Sequence, residues 1–221
     1  MNLTELKTID IEDGVSRGTP NSLKRVVHIE QTNDTIQSYL FNGTDFKVNG
    51  DSLTITGAGQ PTICKLTDNT IAYYDNGNDE LRAYEFDLIE LTWSQIGNSL
   101  SISSTGKASM AFLEKNLIAY IDVGNDLLST YSWDGTDFSL EGNTLSIVST
   151  AISITGLTNN LIALFESSSD ELRTYNWDGT DWSLIGNQLT ISNASDSALA
   201  SQSSSRVAFI DQFNDDFRVR S

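Results

Sequence analysis

The chain has 221 residues, 38% of them hydrophobic, and a formal net charge of −17 from 13 basic and 30 acidic side chains. That apolar share supports a buried core, while so acidic a surface repels phosphate and anionic lipid and argues against nucleic-acid partners and membrane insertion. One cysteine, Cys64, and one histidine, His28, supply neither an intrachain disulfide nor a Cys- or His-rich metal site.

The opening residues, "MNLTELKTID", lack the basic and apolar regions of a signal peptide, and no later run reaches the ~20 apolar residues of a membrane helix. Synthesis in the cytoplasm is expected, with release or incorporation into a virion as the route outside. "LTELKTIDIEDG" (3–14) reads as a single strand. A recurring stretch follows: "VVHIEQTND" (26–34), "IAYYDNGND" (71–79), "IAYIDVGND" (118–126), "IALFESSSD" (162–170) and "VAFIDQFND" (207–215). Its last residues, Asp34, Asp79, Asp126, Asp170 and Asp215, are spaced by 45, 47, 44 and 45 positions.

Each copy reads as four short strands. A small, mixed first strand such as "KASMAFL" (107–113) carries Ala108 and Ser109. A continuous apolar second strand such as "LIAYID" (117–122) suits burial on both faces. The third alternates, so that Arg173, Tyr175 and Trp177 share one face of "LRTYNW". Asn42-Gly43, Asp134-Gly135 and Asp178-Gly179 then mark hairpins, read as tight turns with positive φ at both central residues. The second copy carries a loop two residues longer in "EFDLIELTW" (85–93). The fourth strand contains "TDWSLIGNQLTI", with Gly186-Asn187 expected to kink it.

Four antiparallel strands repeated every 40–50 residues are the mark of a β-propeller. The fold expected is all-β: one five-bladed propeller with blades at 15–57, 58–104, 105–149, 150–192, and 193–221 plus 1–14. The last copy stops within its third strand, and Ile11 lies 19 residues before Glu30, much as Ile191 lies 20 before Asp211. The N-terminal strand is therefore expected to complete the last blade and close the ring, which would remove costly open edges.

The "Leu-x-x-Tyr-x-Trp-Asp" pattern resembles kelch and WD-type repeats, although the kelch double glycine and the WD Gly-His are missing. Blade number and repeat length resemble the five-bladed lectins of the tachylectin type, and "DELRTYNWDGTDW" resembles repeats of bacterial and phage surface proteins. The tachylectin resemblance implies a lectin-like propeller and carries over no binding residue.

Chemistry for catalysis is thin. His28 lies in an apolar strand, no second histidine completes a nucleophilic triad, and no phosphate-binding glycine loop occurs. A non-enzyme is expected. What recurs is acidic: the Asp positions above follow Glu30, Asp75, Asp122, Glu166 and Asp211 by four residues. Such turns offer hard oxygen ligands for Ca²⁺, but they are equally explained by Asp and Asn bonding to local backbone, which is the reading preferred, so neither a metal nor a cofactor is expected. The candidate ligand-binding residues are Asn78, Asp79, Asn125, Asp126, Asp170, Trp133, Trp177 and Trp182, the tryptophans chosen because they flank turns. The function expected is recognition of carbohydrate or another surface ligand through repeated weak sites. The alternative is a structural or assembly protein, such as a virion decoration or adaptor.

Overall fold

The computed structural model describes residues 11–12, 24–30, 34–55, 61–102, 107–114, 116–147, 152–158, 160–191, 198–203, 206–211 and 216–220. They form antiparallel sheets in chain order. The first holds β1 (Ile11–Glu12), β2 (Lys24–Glu30), β3 (Thr35–Phe41), β4 (Phe46–Val48) and β5 (Leu53–Thr54); the second β6 (Thr62–Lys65), β7 (Thr70–Asp75), β8 (Glu80–Asp87) and β9 (Thr92–Ser101). The third holds β10 (Ala108–Glu114), β11 (Leu117–Asp122), β12 (Leu127–Trp133) and β13 (Phe138–Ser146); the fourth β14 (Ile152–Thr158), β15 (Leu161–Glu166), β16 (Glu171–Trp177) and β17 (Trp182–Thr190). The fifth holds β18 (Ala198–Ser203), β19 (Arg206–Asp211) and β20 (Asp216–Arg220). No helix among the described residues is long and apolar enough to cross a membrane.

The chain divides into two compact units, residues 1–103 with 134–138 and residues 104–133 with 139–221. In the first, Val27, Ile36, Ile63, Ile71, Phe86 and Trp93 share one core. In the second, Ile121, Leu128, Ile154, Ile162, Trp177 and Trp182 do so. The continuous apolar runs occupy the second strand of each sheet, and β7 is buried at every position. Burying one such aliphatic side chain contributes about 1.5–3 kcal/mol, so the second strands anchor the sheets.

Small residues on the first strands let sheets approach closely. β14 lies beside both β10 and β18. A Cβ on Gly156 would collide with the carbonyl oxygen of Phe112 on β10. On the other side, Ser153 Oγ accepts from the Leu199 backbone N–H and Thr155 Oγ1 from that of Ser201, each at 3.0 Å.

Two kinds of turn repeat. Between second and third strands, the turn ends on an aspartate in the left-handed region: Asp34, Asp79, Asp126 and Asp170 have φ of 50, 53, 55 and 56°. Asp tolerates this conformation better than most residues. The carbonyls of these residues accept from the backbone N–H of Ile55, Ile102, Ile147 and Ile191 at 2.7–2.8 Å, which fixes the far end of each outer strand. Between third and fourth strands lies a four-residue loop in which an Asn or Asp side chain caps two backbone N–H groups. Asp178 Oδ1 accepts from Thr180 and Asp181, both at 2.8 Å; Asp134 and Asn42 do the same for Thr136 with Asp137 and Thr44 with Asp45. Only the glycine has positive φ there: 94° at Gly43, 106° at Gly135 and 101° at Gly179. The expected tight turn with two positive-φ residues is therefore corrected to a side-chain-capped loop, because the Asx oxygen replaces the backbone bonds a two-residue turn would make. In the second sheet the pair Phe86–Trp93 brackets the longer loop, capped by Asp87.

A second correction concerns the N-terminus. Ile11 and Glu12 pair with Arg25 and Lys24 of β2, so they belong to the first sheet and do not form the outer strand of the last. Matching spacing to Glu30 and Asp211 constrains sequence distance alone; pairing with the nearby β2 closes a short connection and occupies an edge that would otherwise stay open. Residues 3–10 lie outside the described residues.

Candidate functional site

Three sheets end their second strand on a buried carboxylate. Asp75, Asp122 and Glu166 close β7, β11 and β15 and are all buried. Asp75 Oδ1 accepts from the N–H groups of Gly77 and Asn78, and its Oδ2 from Asn78 Nδ2 at 2.8 Å. Asp122 repeats this with Gly124 and Asn125. Tyr74 donates its hydroxyl to Asp79 at 3.0 Å. Asn78, Asp79, Asn125, Asp126 and Asp170 thus lie in the turns, two of them as partners of a buried carboxylate and three at left-handed positions. Among the described residues no group of three or more His, Cys, Asp or Glu is arranged to hold a metal ion.

An arginine seven positions after the acid completes two of these clusters. Arg82 on β8 contacts Asp75 Oδ2 at 3.1 Å and Glu80 Oε2 at 2.6 Å. Arg173 on β16 contacts Glu166 at 2.8 Å, and Glu171 on its own strand. Gln188 of β17 donates to the free side of Glu171 at 2.7 Å. Pairing across the strands explains the geometry: Arg82 stands opposite Tyr73 and Arg173 opposite Leu164, two residues before each acid. In the fifth sheet Arg218 occupies the same register position, opposite Phe209. The first sheet has Gln37 at this place, bonded to the carbonyl of Gly50, and the third has Ser129.

The electrostatics follow from this arrangement. Burial pushes the Glu166 carboxyl above its usual range, and the Arg173 charge beside it and the Ser169 hydroxyl only partly offset that. For Arg82 and Arg173 burial works against the charge, yet hydrogen bonds to Glu80 and Tyr84, or Glu171 and Tyr175, and the neighbouring buried acid raise both above the ordinary guanidinium value. Both arginines stay charged. Each presents a partly exposed guanidinium fork beside a partly exposed carboxylate, with side-chain exposures of 16 and 27% for Arg82 and Glu80, and 23 and 15% for Arg173 and Glu171. Fixed donors next to fixed acceptors match adjacent hydroxyl groups, which both give and accept hydrogen bonds.

The three candidate tryptophans lie elsewhere. Trp133, Trp177 and Trp182 are only 4, 2 and 7% exposed, and Trp177 and Trp182 tilt against one another with centroids 5.3 Å apart. All three are buried, Trp177 and Trp182 within the core of their unit, which corrects the expectation that residues beside turns would be open. Arg82 and Arg173 escaped the sequence reading, although an acid followed seven residues later by arginine recurs at Asp75/Arg82, Glu166/Arg173 and Asp211/Arg218.

No family model and no curated protein sequence matches the chain. Solved structures do resemble it. The lectin SapL1, in complex with alpha methyl fucoside, aligns with a TM-score of 0.63 and 14% identity over 90% of this chain and 73% of that one. A fungal lectin from Aleuria aurantia, with a six-bladed β-propeller fold and a fucose recognition mode, aligns with a TM-score of 0.60 and 14% identity over 91% and 69%. A proposed 6-phosphogluconolactonase from Bacteroides uniformis aligns with a TM-score of 0.65 and 12% identity over 89% and 63%. The likeness shows the fold: an all-β propeller built of antiparallel four-stranded blades.

Proposed function

We propose that this protein is a non-enzymatic, lectin-like binding module of five blades that holds a neutral sugar, of the fucoside class, at its repeated arginine–carboxylate clusters. The observation that carries the reading is the partly exposed guanidinium set between two carboxylates at equivalent places, Arg82 and Arg173. Lectins of the same fold, one of them in complex with alpha methyl fucoside, support it. Five sheets support the blade number. A neutral ligand suits the electrostatics, because a protein of net charge −17 repels sialylated or phosphorylated glycans. Weak equivalent sites gain avidity on a surface that displays many sugars.

A glycan array followed by calorimetry with methyl α-L-fucoside tests the proposal. Saturable binding at both clusters is the expected result, with Glu171→Gln weakening the Arg173 cluster alone about tenfold, the worth of one hydrogen bond to a charged group. Arg173→Lys, which keeps the charge on Glu166's partner and so preserves folding, is expected to weaken binding similarly by removing the planar fork. Absence of binding to any neutral glycan would overturn the reading.

A further inference from the structure

The kink of the fourth strand is a seat for the outer loop of the next sheet, and among the described residues it is filled three times. The Asp51 N–H donates to the Leu91 carbonyl at 3.0 Å, Asn98 N–H to the Thr136 carbonyl at 2.8 Å, and Asn143 N–H to the Thr180 carbonyl at 2.8 Å. In two cases the side chain joins in: Asn98 Nδ2 donates to Asp137 Oδ1 at 2.8 Å, and Asn143 Nδ2 to Asp181 Oδ1 at 2.9 Å. Glycine is required beside the seat, since a Cβ on Gly50 or Gly142 would collide with the carbonyl of Leu91 or Thr180.

Gly186-Asn187 on β17 has the same sequence and the same left-handed glycine, with φ of 68°. A Cβ placed on Gly186, however, would meet no described atom within 4 Å. Ile185 and Leu189 beside it are 38 and 42% exposed, whereas Leu145, the counterpart of Leu189 in the third sheet, packs on the core. A complementary loop exists on the same chain. Asn42-Gly43-Thr44-Asp45 has the capped conformation of the seated loops. Its flanking Phe46 and Val48 are 61 and 64% exposed, although Phe138 and Trp182, which occupy the position of Phe46 in other sheets, are buried. Among the described residues, this seat carries no loop and this loop rests in no seat; with exposed apolar flanks on each, they are matching halves of one contact.

We propose that Asn187 seats the 42–45 loop of a second copy of this chain, with Asn187 N–H on the Thr44 carbonyl and Asn187 Nδ2 on the Asp45 carboxylate. Such a contact joins unlike surfaces, so copies associate head to tail. With −17 charges on each copy, self-repulsion opposes association and added salt strengthens it.

Sedimentation velocity from micromolar to millimolar protein, at low and high salt, tests this independently of any sugar. Concentration-dependent association is expected, weakened about tenfold by either Asn187→Ala or Asp45→Ala, with little further loss in the double variant because both remove one bond. Asn42, not Asp45, caps the 42–45 loop, and among the described residues Asn187 caps no turn, so both variants are expected to fold. A chain that stays monomeric throughout, or association unmoved by both variants, overturns the proposal. So does an Asn187 side-chain amide already protected from exchange in the dilute monomer, since a segment of the same chain would then fill the seat.

Discussion

Carboxylates of one chemistry take opposite roles here according to their partners. Asp134 and Asp178 are held below the usual aspartate range by backbone N–H bonds from Asp137 and Thr136, and from Asp181 and Thr180. Glu166 is raised by burial. The signs differ accordingly. For the turn aspartates, stability is fully present above the unfolded value of 3.8 and is lost as pH falls through their lower folded values. For Glu166, the contribution is present below 4.5 and is lost as pH rises through its folded value. Carbon-detected NMR titration is expected to place Asp134 and Asp178 below 3.8 and Glu166 above 4.5; equal midpoints for all three would refute this account of the turns. The places of these turns were legible from Asp and Asn beside glycine, but their capping by the Asx side chain was not, because the dipeptide fits a two-residue turn equally well. The buried pairings of Asp75 with Arg82 and Glu166 with Arg173 were not, because they depend on cross-strand register, which one repeat alone does not reveal.

Strand character was the most legible feature. The apolar second strands, the alternating third strands and the longer loop at Asp87 all follow from residue pattern and repeat alignment. Burial of Trp133, Trp177 and Trp182 was harder to read, because proximity to a turn says nothing about what covers the ring. The path of Ile11–Glu12 was likewise misjudged, since equal spacing is compatible with two different partner strands. Glycine substitutions separate the structural demands on the elements. Gly156→Ala forces β10 and β14 apart and is expected to cost about 1–3 kcal/mol. Gly186→Ala meets open space and carries only the left-handed strain of roughly 1 kcal/mol. Gly142→Ala adds a collision with the Thr180 carbonyl and Trp177 to the same strain and is expected to melt well below Gly186→Ala. Thermal unfolding followed by circular dichroism ranks the three; equal melting temperatures for Gly142→Ala and Gly186→Ala would contradict the difference between a filled and an empty seat.

At the scale of the whole molecule, repetition accounts for architecture and proposed role together. Turns, seats and arginine–carboxylate clusters recur at the repeat interval, so one local solution is used several times and drifts between copies. The drift is informative: Gln37 and Ser129 replace the arginine in the first and third sheets, so those copies lack the guanidinium fork and are expected to bind sugar less well. Repeat length and strand pattern made the propeller readable from sequence, whereas the inequality of its copies required the register of each hairpin. The most direct measurement is the ¹⁵N spectrum of the arginine Nε–H groups during titration with methyl α-L-fucoside. The account predicts saturable shifts of Arg82 and Arg173, with Glu171→Gln raising about tenfold the sugar needed for the Arg173 shift alone; unmoved Nε–H signals at saturating sugar, or shifts confined to other arginines, would contradict it.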